Sequence, residues 1–390
     1  MHTTFPEHAI AAATSEHAQE YYLQKLQASP LYYDNSLACW VVLSAALTQQ
    51  VLSHPACRVR PDNLPVPATL NGRPSARFFA GLMRMQDGQA QQLSKQLTVH
   101  CLSAISPQDI EQACQLAQWQ LKTESEHALL ATPSSLNQWI SAFPLYSLAN
   151  LIGLHDTVRV RLPELLQALV AYLSPLSSDK ELDQADLAFT SLFEFMQNQF
   201  ANDMTNPVLA SLRQLKQQIG WQDQTILLIN LCGWFSQSYD ACRGLLASSL
   251  LRLREQPALG AAILQQPAYP GLFLHEVCRL DSPIQNTRRY TQQAINLAGQ
   301  DIPANQQILL LLAAANLDAS TPQGMARFAP QTQDSPIYTF GYGAHQCPGQ
   351  NLALQFAQHA LRVLTEQNAW QVIAGYRYQA SVNARIALFH

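Results

Sequence analysis

Charged side chains are scarce in this 390-residue chain: Asp, Glu, Lys and Arg together make up 13%, about half of the roughly 25% usual in globular proteins. Gln takes their place on many polar faces. The formal net charge is −4, with none of the clustered basic surface that nucleic acid demands, so no nucleic-acid partner is expected. Long apolar runs are lacking too. VVLSAAL (41–47) and ILLLLAAA (308–315) fall far short of the ~20 residues of a spanning helix. The N-terminal stretch MHTTFPEHAIAAATSEHAQEYY has neither the basic start nor the apolar centre of a signal peptide. These absences lead us to expect no membrane span and a cytoplasmic protein. Paired cysteines are also missing. None of the eight cysteines, at 39, 57, 101, 114, 232, 242, 278 and 347, forms a CxxC pair. Seven are expected to be reduced, mostly buried thiols; Cys347 is set apart by its neighbours.

What the chain does have is apolar bulk. Hydrophobic residues make up 48%, enough for a large core. PQDIEQACQLAQWQLKTE (107–124) puts Ile110, Cys114, Leu116, Ala117 and Leu121 near one helical face. LPELLQALVAYL (162–173) and DLAFTSLFEFMQNQF (186–200) behave alike, and SPLSSDKELDQ between them begins with a loop's composition. The longest helical candidate runs from about Gln222 to Glu255. It holds no proline and only Gly233 and Gly244, and would span ~50 Å. Being nearly apolar over 226–235, it is predicted to cross the interior. Strand signals are few and late: INLAGQDIP (295–303) and QQILLLL (306–312) read as a short antiparallel pair. The class is mainly α with a small β region. Length alone suggests two or three domains, but no repeat or low-complexity linker divides the chain, so residues 1–390 are read as one domain.

The segment TFGYGAHQCPGQNLALQFAQHALRVL (339–364) carries the chemistry. It places an aromatic, two spaced glycines and a histidine before Cys347, then Pro-Gly opening an amphipathic helix. A thiolate that ligates iron must be deprotonated, sheltered and supplied with backbone N–H donors. Glycines allow the tight turn that presents those donors. A helix starting near Gly349 aims its positive end at the sulfur.

This loop resembles the haem-binding loop FxxGxxxCxG of the cytochrome P450 family at Phe340, Gly343, Cys347 and Gly349. The resemblance implies that Cys347 is the metal ligand of a haem b (iron protoporphyrin IX), that Phe340 packs beside its sulfur, and that His345 contacts a propionate; a surface histidine is the plain alternative. Upstream, Glu276 and Arg279 form an ExxR motif, whose residues share a helical face. Alone this is as consistent with a surface ion pair. Followed by LDSPIQNTRRYT, it resembles the family's segment at this place, and ARFAP (326–330) puts Arg327 at the third position of the family's buried charge network. Arg289 matches the residue that reaches a propionate, with Arg288 as its neighbouring candidate. LLAAANLDAS resembles the family's AANRDP stretch, with Leu317 where Arg is common. The likeness is good over roughly 220–370 and looser before it, mainly in GLMRMQDGQAQQL (81–93). Many bacterial members carry propionate-binding His and Arg there; this chain has Gln89, Gln91 and Gln92 nearby, and no propionate ligand is assigned in that region. Eukaryotic members usually carry an N-terminal anchor, so the implied type is soluble and bacterial, with the family's triangular helical fold.

One departure bears on mechanism. The family pattern on the long helix is A-G-x-(Asp/Glu)-Thr, a kink followed by an acid–alcohol pair that delivers protons. Here Cys232-Gly233-Trp234-Phe235-Ser236-Gln237 keeps the glycine and the alcohol but puts Phe235 in place of the acid. The nearest acid is Asp240. The resemblance implies a monooxygenase that hydroxylates a largely apolar small molecule with O2 and electrons from ferredoxin and ferredoxin reductase, with Ser236 and Gln237 as the catalytic polar residues. Phe235 keeps two alternatives open: peroxide-driven oxidation or an electron-independent rearrangement. A non-catalytic haem-thiolate binding or sensing protein is a third. Leu228, Leu231 and Cys232 on the helix, with Pro283, Ile284 and Asn286 after ExxR, are the expected pocket lining; plain core packing is the alternative for Leu228 and Leu231.

Overall fold

The longest apolar run becomes the longest helix. In the computed structural model, which describes residues 5–124, 130–318, 327–330 and 336–390, a helix extends over Gln224–Glu255. Asp223 starts it, its carboxylate accepting the Ile226 N–H at 3.0 Å, which satisfies one of the orphan donors of the first turn. Residues 227–233 are all buried. The helices Pro133–Leu151, Asp179–Asn202, Tyr269–Leu280 and Gln350–Glu366 pack around it, so over this stretch it needs no polar stripe.

The other expected helices form at Pro107–Glu124, Leu162–Leu169 and Asp179–Asn202, the second continuing as a 3-10 turn over Val170–Leu173. Ser178 and Glu181 cap the third reciprocally, which is why a segment that starts with a loop's composition turns helical at Asp179. One residue of the 107–124 face is corrected. Ile110, Cys114 and Ala117 are buried, but Leu116 is 44% exposed, because two helical steps from Cys114 turn a side chain about 200° away.

The strands are β1 Leu31–Asp34, β2 Cys39–Val42, β3 Cys57–Arg58, β4 Thr287–Thr291, β5 Ile295–Leu297, β6 Gln300–Ile302, β7 Gln307–Leu310, β8 Tyr376–Tyr378 and β9 Ala387–Phe389. They form a five-stranded sheet in the order β1-β2-β7-β4-β3 and two hairpins, β5-β6 and β8-β9. The expected pairing of 295–303 with 306–312 is therefore corrected. INLAGQDIP folds on itself, Ile295 opposite Ile302, through Ala298 and Gly299, both at positive φ, the geometry of a two-residue hairpin turn. β7 instead lies between β4 and β2, antiparallel to the first and parallel to the second. The expected class, mainly α with a small β region, is thus present, and one buried apolar cluster draws on residues from Ala9 to Phe389. No helix among the described residues is long and apolar enough to cross a membrane.

Candidate active site

The cysteine loop is closed by its own backbone. The Cys347 N–H donates to the Phe340 carbonyl at 2.8 Å, and the Gly341 N–H donates to Tyr338 at 2.7 Å. Gly341 and Gly343 both sit at positive φ, where a side chain would be strained. The helix Gln350–Glu366 follows directly. Cys347 is exposed, and the other seven cysteines are buried. That exposure is to a recess rather than to open solvent: desolvation pushes the thiol up, while the backbone N–H groups of Gly349 and Gln350 and the Lys95 ammonium pull it down. Each of those opposing groups favours a thiolate.

A buried polar network fastens this loop to the helix Tyr269–Leu280. The Thr339 hydroxyl donates to the Cys278 carbonyl at 2.8 Å and meets the Ser282 hydroxyl at 2.6 Å. The Asn316 amide reaches both Thr339 and Cys278, at 3.0 and 3.2 Å. One turn back, Arg279 grips Glu276 through two hydrogen bonds of 2.8 Å, both side chains less than a tenth exposed. The third position of this network is corrected. Arg327 is exposed, and Glu276 instead accepts the Ala329 N–H at 3.1 Å. A backbone donor fixed within the loop meets the carboxylate's need without ordering a long side chain. Ala326, the first residue of that ARFAP stretch, lies outside the described residues.

Basic side chains gather near the loop. Arg289 is 5% exposed, donates to the Arg288 carbonyl at 2.8 Å, and makes no ion pair among the described residues. Desolvation lowers its pKa to about 10, against the pull of Asp87. The Nε of Arg288 and the Nη1 of Arg279 are buried without partners. His345 turns its Nε2 to Asp87 at 3.1 Å rather than outward. Lys95 was not anticipated. Its ammonium lies 2.6 Å from the Ala344 carbonyl, and Gln91, one turn earlier, donates to the same oxygen at 2.8 Å. Desolvation lowers the Lys95 pKa and the nearby Cys347 sulfur raises it. The i, i+4 spacing of Gln91 and Lys95 was the available signal.

On the long helix, Phe235 is fully buried and Ser236 is 3% exposed. The Ser236 hydroxyl donates to the Gly233 carbonyl at 3.4 Å, and the Gln237 amide folds back towards Gly233. Asp240 pairs with Arg243 at 3.2 Å, and burial raises its pKa against that pairing. Leu228 and Cys232 are buried. Leu231 lines a small cleft together with Ser94, Leu212, Trp221 and Trp234. Pro283 packs by Gly244, the backbone of Ile284 bridges Ala384, and the Asn286 amide is taken by the Val382 carbonyl at 2.8 Å.

A thiol open to a recess with amide donors behind it, and the buried Arg289 guanidinium, which makes no ion pair among the described residues, fit a flat iron cofactor that carries carboxylates of its own. A family model described as Cytochrome P450 matches residues 264–372, the span that holds Glu276, Arg279, Arg289 and Cys347. Over that span the chain is similar to the cytochrome P450 family. Cys347 and Arg289 are the residues that would hold the iron and a carboxylate of such a cofactor. Among relatives, the chain is 28% identical over 235 residues to the biotin biosynthesis cytochrome P450 of Bacillus subtilis (strain 168), covering 58% of each chain. It is 26% identical over 239 residues to cytochrome P450 144 of Mycobacterium tuberculosis, covering 60% of this chain and 55% of the relative. The sequence matches thus span a little over half the length of these relatives. The fold is shared more widely. The crystal structure of P450BioI in complex with acyl carrier protein ligated to hexadec-9Z-enoic acid superposes with a TM-score of 0.77 at 21% identity, covering 95% of this chain and 96% of that one.

Proposed function

We propose that this chain is a haem-thiolate monooxygenase that hydroxylates a largely apolar small organic molecule, using O2 and electrons passed from ferredoxin reductase through ferredoxin. The observation that carries this reading is Cys347: the one exposed cysteine, recessed and backed by two backbone N–H groups at the start of a helix. The haem, held through that sulfur, supplies the oxidising chemistry, because thiolate donation favours O–O cleavage. In the net reaction one oxygen atom enters a C–H bond. The other leaves as water, with two electrons from the partner and two protons from solvent.

The protein's share is to hold, orient and shelter. Cys347 ligates the iron, and Phe340, Gly343 and Gly349 shape the loop around it. Arg289 and Lys95 would pair with the propionates, supported by the burial of Arg289, by its lack of an ion pair among the described residues, and by the position of Lys95 against the Ala344 carbonyl of the loop. His345 contributes through Asp87, which fixes its ring. Glu276 and Arg279, with the Ala329 N–H, brace the loop from behind. Ser236 and Gln237 would be the polar groups that carry protons into the site. Leu228, Cys232 and Pro283 lend the pocket an apolar wall. Leu231 instead faces the cleft beside Trp221 and Trp234, and Ile284 and Asn286 are engaged by the backbone of Ala384 and Val382. The apolar cluster that joins Ala9 to Phe389 supports reading residues 1–390 as one domain, and we place it in the cytoplasm. Long-chain acyl groups, the ligand class in the P450BioI structure, are the first substrates to screen.

Phe235 favours a second reading, in which hydrogen peroxide is the oxidant. Peroxide brings its own electrons and protons, so a relay without a carboxylate suffices. One experiment separates the readings: turnover of a substrate found by its optical shift, driven by ferredoxin and reductase in one arm and by peroxide in the other. Product formed only with the ferredoxin system supports the monooxygenase. Product formed only with peroxide supports the alternative. No product in either arm, despite a thiolate-type spectrum, points to a binding protein.

A further inference from the structure

Asn230 on the long helix is 6% exposed and has nothing to do with the ligand loop, yet its amide is fully engaged. Its Oδ1 accepts the Met83 N–H at 2.8 Å. Its Nδ2 donates to the Gly81 carbonyl at 3.1 Å and to the Ile226 carbonyl of its own helix at 2.8 Å. The side chain therefore satisfies two backbone groups of a neighbouring segment, on either side of Leu82, that form no strand or helix ladder with it. Buried backbone groups need such partners.

Two close approaches accompany the bonds. A Cβ on Gly81 would lie 2.8 Å from the Cδ1 of Ile229, and a Cβ on Gly233 would lie 2.6 Å from the Cδ2 of Leu82. Each segment thus carries a glycine where the other presses in a branched side chain. Leu82 is fully buried in the Gly233 notch, one turn before Ser236 on the same helical side. The Gln86 amide donates back to Ala80 at 3.2 Å, which tightens the segment on itself. Gly233 consequently has a packing reason to be glycine, beyond any kink.

We propose that Asn230 is a latch: it fixes Gly81–Met83 against the long helix, seats Leu82 over Gly233, and so limits the size of ligand that reaches the haem. This rests on the haem-thiolate reading above. Asn230 acts through Leu82 and is a positioning residue. Opening the segment breaks two hydrogen bonds to it, so the latched form dominates, small ligands pass it, and large ones wait for it to open.

The test uses haem-loaded protein and two probes, imidazole and 4-phenylimidazole, whose binding to ferric haem is followed by stopped-flow absorbance. Asn230→Ala is expected to raise the association rate of 4-phenylimidazole on the order of tenfold relative to imidazole, the shift that loss of one or two net hydrogen bonds allows. Leu82→Ala keeps the latch and is expected to relax the same size selection. Hydrogen exchange at the Met83 amide should quicken in Asn230→Ala and stay slow in Leu82→Ala. Leu250→Ala, a buried change at the far end of the same helix, controls for general loosening and should leave Met83 protected. An unchanged azole ratio in both Asn230→Ala and Leu82→Ala overturns the size filter. Unchanged Met83 exchange in Asn230→Ala overturns the latch itself. A wild type without the thiolate-type reduced carbon monoxide band overturns the haem reading and the size filter with it, while the Met83 measurement still decides the latch.

Discussion

Arg279 meets Glu276 as a fork: its Nε donates to Oε2 and its Nη2 to Oε1, each at 2.8 Å. The carboxylate takes a further bond from the Ala329 N–H. Both side chains are buried, so each neutralises a charge that water cannot reach. Breaking such a pair from one side costs about 3–5 kcal/mol, a large share of the roughly 5–15 kcal/mol that keeps a protein folded. Glu276→Ala and Arg279→Ala should therefore each yield little folded, haem-bearing protein, measured as Soret absorbance per mole of purified chain. Full haem content in both variants would show the fork to be dispensable. Arg327→Ala, at an exposed position, should behave like wild type in the same measurement.

Cys347→Ala should abolish the thiolate-type band of the reduced carbon monoxide complex, because every other cysteine is buried. Cys347→His should retain a haem with a nitrogen-ligated spectrum. Retention of the wild-type band by either variant would move the ligand elsewhere in the chain.

Asp87 ties His345 and the Val59 N–H together, at 3.1 Å each. Burial pushes its carboxyl up, but the hydrogen bonds from His345 and Val59 outweigh this and hold it below the ordinary 3.8. A carboxyl depressed on folding adds stability at pH values above its unfolded pKa and loses it as pH falls through the folded one. Asp87→Asn should thus lower the urea midpoint at pH 6, and the gap from wild type should close as pH falls below about 4. A gap that stays constant with pH would mean that the charge of Asp87 contributes nothing.

How much of this was legible in the sequence followed from whether the parts adjoin. The cysteine loop is contiguous, and its glycines, cysteine and following helix announce themselves in one stretch. Glu276 and Arg279 are three residues apart on one helix, so spacing alone set their meeting. Arg327 was misplaced because a family position says which residue sits there, not which atom satisfies Glu276, and here a backbone N–H does so. Lys95 was passed over because its role depends on the helix Gly88–Ser103 docking on the Gly343–His345 turn, a contact some 250 residues apart. Asn230 gave no signal at all, since a lone Asn in an apolar helix names no partner. The strand pairing of 306–312 failed for a related reason: β7 is central in its sheet, and a central strand chooses neighbours by tertiary packing, not by proximity in the chain.

Phe235 is the residue that tests the proposed proton route. It is fully buried where the family carries an acid, and it cannot relay a proton. Asp240, one turn on, is paired with Arg243, so no free carboxylate lies beside Ser236 on this helix. Phe235→Asp places one there, and Phe235→Asn matches its size without the charge. In an O2-using enzyme limited by proton delivery, Phe235→Asp should raise product formed per electron consumed in the ferredoxin-driven assay, and Phe235→Asn should not. In an enzyme that runs on peroxide, the aspartate brings no gain. It should instead lower activity, because an ionised group buried without a partner is costly and removing the ring leaves a cavity worth about 3–5 kcal/mol. The measurement is product against electrons consumed, and product against peroxide consumed, for the three proteins on one substrate. Tightly coupled hydroxylation by the wild type with ferredoxin, unimproved by Phe235→Asp, would show that Ser236, Gln237, water or the substrate already completes the relay, and the peroxide reading would then have lost the one residue that favours it.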